Sequence, residues 1–338
     1  MISPSAGSGP GKILVNVQEV RTYMWSQVLL FPGCMELQDV AAPTAADLGQ
    51  GEVIVQFLCG GICGSDAPHF YGEPGSVAQL GDTGFPLHEI VGRVLETTSP
   101  ALRVGDRVVG YATGARGLCE RFTNDAAQLI AVDSQLSDTE VVITQPLATV
   151  MCALSKLRAV RNARVAVVGL GAIGILFSQM LKVAGAAQVV GVDRQDRLEW
   201  RGKFGLDEVI WSSSRNWARS LGSERPEIVI EAVGHQVGTL NDAIDAVGPG
   251  GHIVAFGVPD DPYYPVAFGE LFRKNGSMTT GTTDDWHTHL TNAWLYLEDN
   301  PWFARELVTH RFPVTEAQRA FECATAPLKG RLKVVIEA

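Results

Sequence analysis

The run Gly169-Leu-Gly171-Ala172-Ile173-Gly174 constrains this 338-residue chain more than any other feature. It follows the apolar stretch Val165–Val168 directly and opens Ile173–Ala184, whose apolar residues recur at helical spacing. Strand, glycine turn and helix in that order make a dinucleotide-binding unit. The first glycine permits the tight turn, the second lets the backbone approach a pyrophosphate, and the third lets helix and strand pack closely. The helix N-terminus adds unpaired N–H groups and the positive end of its dipole. Gly169, Gly171, Ala172, Ile173 and Gly174 are therefore expected against the cofactor. The next apolar run, Gln188–Val192, leads into Asp193, 24 residues after Gly169. A carboxylate there accepts hydrogen bonds from the adenosine ribose hydroxyls and repels a 2′-phosphate, which favours NAD over NADP. Arg194 follows at once and softens that preference.

Strand candidates at Glu208–Trp211, Ile228–Glu231, Gly251–Phe256 and Ser277–Gly281 alternate with helical stretches near 196–204, 237–246 and 286–298. That alternation predicts an α/β, doubly wound parallel sheet. Between Tyr23 and about Val132 the rhythm differs. Short strand-like runs such as Glu52–Leu58, Ile90–Val94 and Asp106–Gly110 are separated by Gly, Pro and Asp turns, as in a small β-barrel or sandwich. Two domains fit the length, because single cores rarely grow past roughly 250–300 residues. Met1 to Lys12 is rich in Ser, Gly and Pro and lacks the apolar core of a signal peptide, so residues 1–20 read as a flexible tail. No stretch approaches the ~20 apolar residues of a membrane span. The net charge of −10, from 27 basic and 37 acidic residues, repels nucleic acid and anionic lipid. Six scattered cysteines suggest no disulfide framework and fit a reducing cytoplasm.

A second constellation lies upstream. Cys63, in Gly61-Ile-Cys-Gly-Ser-Asp66, precedes His88-Glu89 by 25 residues. Thiolate, imidazole and carboxylate are the donors zinc prefers, and a catalytic zinc uses three protein ligands with one position open. Asp66 is placed to orient His88 through its second ring nitrogen, and Ser65 to pass a proton between a substrate hydroxyl and solvent. Singly, each residue has an ordinary structural explanation; the set, ahead of a dinucleotide fold, points to metal-assisted hydride transfer.

Taken with Gly105-Asp-Arg-Val108, Pro146-Leu-Ala148, the glycine run and the closing Lys333-Val-Val-Ile336, these residues resemble a medium-chain dehydrogenase/reductase of the zinc alcohol dehydrogenase superfamily, in the style of its sorbitol and threonine dehydrogenase branch. The resemblance implies a GroES-like catalytic domain, residues 21–148 completed by 285–338, interrupted by a Rossmann domain at 149–284, with the active site between them. It implies Cys63, His88 and Glu89 as ligands of one catalytic zinc, Ser65 as the relay hydroxyl and Asp66 behind the histidine; Thr149 stands where the family often has a residue touching the nicotinamide, and reads equally as a plain helix residue. A homodimer or homotetramer is expected, partly from the resemblance and partly from the edge that Ser277–Gly281 offers for pairing. The substrate is expected to be a small alcohol or polyol, or the matching ketone, in a pocket shaped by loops such as Phe70–Phe85.

Four departures from the family pattern stand out. The residue before Pro-Leu-Ala, usually Glu or Cys, is Gln145, a neutral group beside the open metal position. Leu87 replaces the glycine before His-Glu and should crowd the backbone. The histidine that ends the proton relay is replaced by Pro68, with His69 one step later. The four-cysteine lobe that holds a structural zinc is missing, since Gly110–Phe122 contains only Cys119. Gln145 and Leu87 keep a zinc-free reductase of an activated C=C or C=N bond open as a rival, and a dinucleotide-binding protein without turnover is a second. Tyr71 and Trp286 are candidates for the cleft or the core, Asp260–Pro265 reads as a surface loop, and His287 and His289 as solvent-facing.

Overall fold

The computed structural model describes residues 22–72, 79–157 and 159–338. The expected tail at 1–20 and the middle of the Phe70–Phe85 loop lie outside the described residues. Two β-rich bodies emerge from the strand patterns. In the first, β1 (Tyr23–Phe31) and β2 (Cys34–Ala41) form an antiparallel hairpin, followed by β3 (Glu52–Gly61), the short helix α1 (Asp66–Tyr71), β4 (Glu89–Thr97), β5 (Arg107–Tyr111), β6 (Arg121–Asp125) and β7 (Leu129–Ala131). Helices α2 (Asp138–Val141) and α3 (Thr144–Ser155) lead out of it.

The second body begins with β8 (Arg164–Val168), α4 (Ala172–Val183), β9 (Gln188–Asp193) and β10 (Glu208–Trp211). It continues through α5 (Ser214–Ser220), β11 (Ile228–Glu231), α6 (Val237–Ala246), β12 (His252–Ala255), α7 (Phe268–Arg273) and β13 (Ser277–Thr279). All its strand pairs are parallel, in the order β10-β9-β8-β11-β12-β13. Both faces are covered, which is why β8 reads as an unbroken apolar run. Val165 and Val167 join one core with Ile175 and Leu176 of α4, while Ala166 and Val168 join another with Leu240 and Ile244 of α6. The fold is thus the doubly wound sheet beside a β-rich domain that the sequence predicts.

After α8 (Trp286–Asp299) and α9 (Pro301–Leu307) the chain returns to the first body. There β14 (Val308–Pro313) and, after α10 (Ala317–Thr325), β15 (Lys333–Glu337) extend its sheet in the order β14-β15-β3-β4-β5-β7, with β6 also paired to β3. β15 runs antiparallel to β3, with Val335 opposite Gly61. The last strand therefore lies against the residues that lead into Cys63.

One expected helix does not form. Residues 196–204 hold only a single 3-10 turn at Leu198–Trp200. The Asp196 carboxylate accepts the Leu198 N–H at 3.2 Å, and Gly202, Phe204 and Gly205 take φ of 76°, 52° and 76°. A helix cannot pass through three left-handed residues. Conversely, α3 gives only a weak helical stripe in the sequence because eight of its twelve residues are buried, and Pro146 fits its first turn, where an N–H has no partner to lose.

Candidate active site

A cleft of about 550 Å³ lies between the two bodies. Its wall joins Cys63, Ser65, Asp66, His69, His88 and Glu89 from the first body to Ile173, Val233 and Phe256 from the second. Gln145 and Thr149 of α3 line the same space. The metal-ligand types singled out in the sequence are brought together: ligand atoms of Cys63, His88 and Glu89 all lie within 4.8 Å of one another.

Asp66 fixes two of the three at once. One carboxylate oxygen lies 2.7 Å from His88 Nδ1, and the other accepts the Cys63 N–H at 2.9 Å. With Nδ1 engaged, Nε2 is the imidazole nitrogen left for a metal. Burial opposes a charge on His88, but the Asp66 carboxylate and the Cys63 sulfur together hold its pKa well above the ordinary value. A metal at Nε2 would compete with a proton for the same lone pair.

Glu89 is fully buried, and both of its oxygens lie 2.7 Å from the Nζ of Lys333, itself buried, at the start of β15. The same ammonium donates to the Ile62 carbonyl at 3.2 Å. Burial lowers the Lys333 pKa, but the Glu89 charge, with Cys63 behind it, holds it above the ordinary lysine value. Gly61 makes room for this pair, because a Cβ there would stand 2.2 Å from Glu89 Oε2. Each carboxylate oxygen retains acceptor capacity beyond its bond to Lys333. A thiolate, an imidazole and a carboxylate at this spacing fit one zinc ion.

Leu87 does not crowd the backbone as expected. It is fully buried, and its Cδ2 occupies the space over Gly60, 2.4 Å from where a Cβ on that residue would stand. A glycine one strand away has absorbed the added bulk. His69 lies one turn of α1 beyond Ser65, a spacing that sets both on one side of the helix, and its ring packs edge-on to Phe85 at 5.3 Å. Trp286 belongs to the cleft, where the rings of His88, Tyr111 and Trp286 follow one another at 5.0 and 5.5 Å. Tyr71 does not; it is exposed and bonds the Thr325 hydroxyl at 2.9 Å. Asp260–Pro265 is largely exposed.

The glycine run has the geometry a dinucleotide needs. Gly169 has φ of 92°, and a Cβ there would meet Val233 at 2.8 Å. A Cβ on Gly174 would lie 1.8 Å from the Gly169 carbonyl oxygen, so only glycine lets α4 approach the turn. At Gly171, the N-cap of α4, nothing lies within 4 Å of a Cβ, which leaves space for a phosphate. Ala172 opens the helix, and Ile173 beside it reaches the cleft. At the end of β9, Asp193 accepts the N–H groups of Leu170 and Gln195, each at 2.7 Å. One oxygen serves each bond, leaving further lone pairs for ribose hydroxyls. Arg194 is exposed, and its carbonyl accepts the Trp211 indole N–H at 3.1 Å. Thr149 donates its hydroxyl to the Pro146 carbonyl at 2.8 Å.

The sequence gives no functional signal for Tyr111 or Gln128, and it shows Lys333 only as the first residue of the closing motif, not as the partner of Glu89. For Lys333 a signal existed: a lysine opening the otherwise apolar run Val334-Val-Ile336.

Comparison with known proteins agrees with this fold. The family described as "Alcohol dehydrogenase GroES-like domain" matches residues 49–194, and "Zinc-binding dehydrogenase" matches residues 172–292. An L-threonine 3-dehydrogenase of Legionella pneumophila (strain Corby) is 25% identical, over 88% of this chain and 95% of its own length. Human sorbitol dehydrogenase is 26% identical, over 88% and 91%. Among solved structures, the alcohol dehydrogenase TADH from Thermus sp. ATN1 superimposes with a TM-score of 0.78 at 24% identity, covering 93% of this chain and 99% of that one. A putative zinc-binding dehydrogenase from Sinorhizobium meliloti 1021 bound to NADP gives 0.78 at 19% identity, covering 94% and 100%.

Proposed function

This chain belongs to the zinc-type medium-chain dehydrogenase/reductases, and we propose that it moves a hydride between an alcohol or polyol carbon and NAD(H), with one catalytic zinc held by Cys63, His88 and Glu89. The observation that carries the reading is the convergence of those three ligand atoms in a cleft that also reaches the helix opened by the glycine run. When bound, zinc supplies a Lewis acid for the substrate oxygen and the nicotinamide takes up or returns the hydride. The chain's own residues do the rest. The Ser65 hydroxyl accepts the substrate's proton while giving up its own toward His69, one turn along α1. Asp66 holds the His88 ring and the Cys63 backbone in register. Gln145, buried at the same wall, offers a neutral hydrogen-bonding amide where relatives of this family carry charge. Tyr111 and Trp286 supply an aromatic wall on which the ring or carbon face of a polyol can lie.

Asp193 favours NAD over NADP. A structural zinc is not part of this reading: Cys119, alone in its stretch, is buried, and burial pushes its thiol up to about 12. β13, at the edge of the parallel sheet, suits pairing in a homo-oligomer; a monomer mass by light scattering across a wide concentration range would end that idea. Among the described residues no helix is long and apolar enough to cross a membrane.

The test is NAD-dependent oxidation of a panel of polyols and secondary alcohols before chelation, after it, and after zinc is returned. Loss and recovery of turnover are expected. Turnover on activated C=C or C=N substrates by zinc-free protein, with none on alcohols, would replace this reading with the reductase one.

A further inference from the structure

Besides the Cys63 centre, the described residues hold one more group of three potential metal ligands within 4.8 Å of one another: Cys152, Asp284 and His289. We propose that these three form a second, exchangeable site for a thiolate-seeking divalent cation such as Zn²⁺.

The donors come from two separate parts of the chain. Cys152 is buried in the middle of α3, and its thiol donates to the Asp284 carboxylate at 3.6 Å. Asp284 lies in the turn before α8. The neighbouring Asp285 caps that helix by accepting the Thr288 N–H at 3.0 Å, and its carbonyl accepts the His289 N–H at 3.2 Å. His289 is thus set in the first turn of a 14-residue helix and faces α3. The sequence reading treats His287 and His289 alike as solvent-facing. Here only His287 is exposed, while His289 is half-buried, because residues two apart on a helix point to different sides.

The site is distinct from the catalytic one. Gln145, Thr149, Cys152 and Lys156 follow one another at helical spacing along α3, and all four line the cleft. Cys152 lies seven residues beyond Gln145, about 10 Å along the helix at the usual rise. Thiolate, imidazole and carboxylate form a donor set for zinc with a fourth position open to the cleft. Loading breaks the Cys152 S–H bond, forms a metal–sulfur bond and releases one proton to solvent; no electrons change hands. Two features make the ion exchangeable. Asp284 is exposed, and the Lys156 ammonium, whose Nζ donates to the Thr282 carbonyl at 3.2 Å, lies close enough to compete for its charge. A bound ion would also tie α3 to the start of α8.

The experiment titrates cobalt into protein whose catalytic site is already loaded with zinc, following the thiolate-to-cobalt charge-transfer absorption. Uptake of one further equivalent per chain is expected, with that absorption absent in Cys152→Ser. In His289→Gln, which leaves the buried core untouched, affinity should fall by no less than the roughly tenfold that loss of even an outer partner costs. Cys63→Ser protein should still show the absorption from Cys152. No uptake beyond the first equivalent, or equal uptake by wild type and His289→Gln, would overturn the proposal.

Discussion

The buried pair of Lys333 and Glu89 carries the largest single electrostatic contribution beside the candidate metal site. Lys333→Met keeps the length and most of the packing of the side chain but leaves the Glu89 carboxylate fully buried without its partner. Removing one member of a buried ion pair typically costs about 3–5 kcal/mol, because the remaining charge is uncompensated. In chelator-stripped protein that cost should appear in full in urea unfolding. With zinc bound at Cys63, His88 and Glu89, the metal's charge faces the same carboxylate, so the loss should be markedly smaller. The double variant Lys333→Met/Glu89→Gln removes both charges and should recover most of the stripped protein's stability. The sign with pH follows from the Lys333 pKa, which is held above its ordinary value of 10.5. The pair's contribution is complete below the titration of an unfolded lysine and is lost only as pH rises through the folded value. The difference between wild type and variant should therefore stay level from neutral pH upward until lysine titrates. A loss below about 1 kcal/mol in stripped protein, the worth of a surface pair, would refute the reasoning. An equal loss with and without zinc would refute the placement of the metal beside Glu89.

Gln145→Glu adds a carboxylate to the buried wall beside the metal, so it should tighten zinc retention against a chelator and raise the pH of half-maximal alcohol oxidation. If both stay unchanged, Gln145 only supports the start of α3. Asp193→Gly should weaken NAD by about 1.5–3 kcal/mol and relax discrimination against NADP. An unchanged ratio of kcat/KM for the two cofactors would show that Asp193 serves only its bonds to Leu170 and Gln195. Leu87→Ala should destabilise by roughly 2–5 kcal/mol, since it opens a cavity over Gly60 that no side chain fills; a neutral effect in urea unfolding would show that the site collapses.

What the sequence discloses depends on distance along the chain. The inner strands of the parallel sheet, such as β8 and β11, are legible because they are compact apolar runs, whereas β13 at its edge is only Ser277-Met-Thr279. The fingerprint is legible because three glycines within six residues answer three steric demands, at the turn, at the phosphate and at the helix–turn contact. Cys63, Asp66, His88 and Glu89 are legible as a set, from their residue types in two short motifs upstream of the glycine run. The partner of Glu89 is not, because Lys333 stands 244 residues away and meets it only when β15 joins β3. Leu87 misleads for the same reason: its accommodation depends on Gly60, a neighbour across the sheet. The helix expected at 196–204 fails for a local reason, the left-handed φ of Gly202, Phe204 and Gly205. The half-burial of His289 is not legible locally, because Cys152 beside it comes from α3, more than a hundred residues earlier.

On the proposed reading Cys63, His88 and Glu89 hold a metal within the dinucleotide cleft. Crystals of protein purified without chelator or added metal, soaked with NAD and measured at the zinc absorption edge, test it directly. An anomalous peak is expected within bonding distance of Cys63 Sγ, His88 Nε2 and a Glu89 oxygen, with the nicotinamide end of the cofactor beside Thr149. An ordered cofactor with no anomalous peak among those three side chains would contradict it.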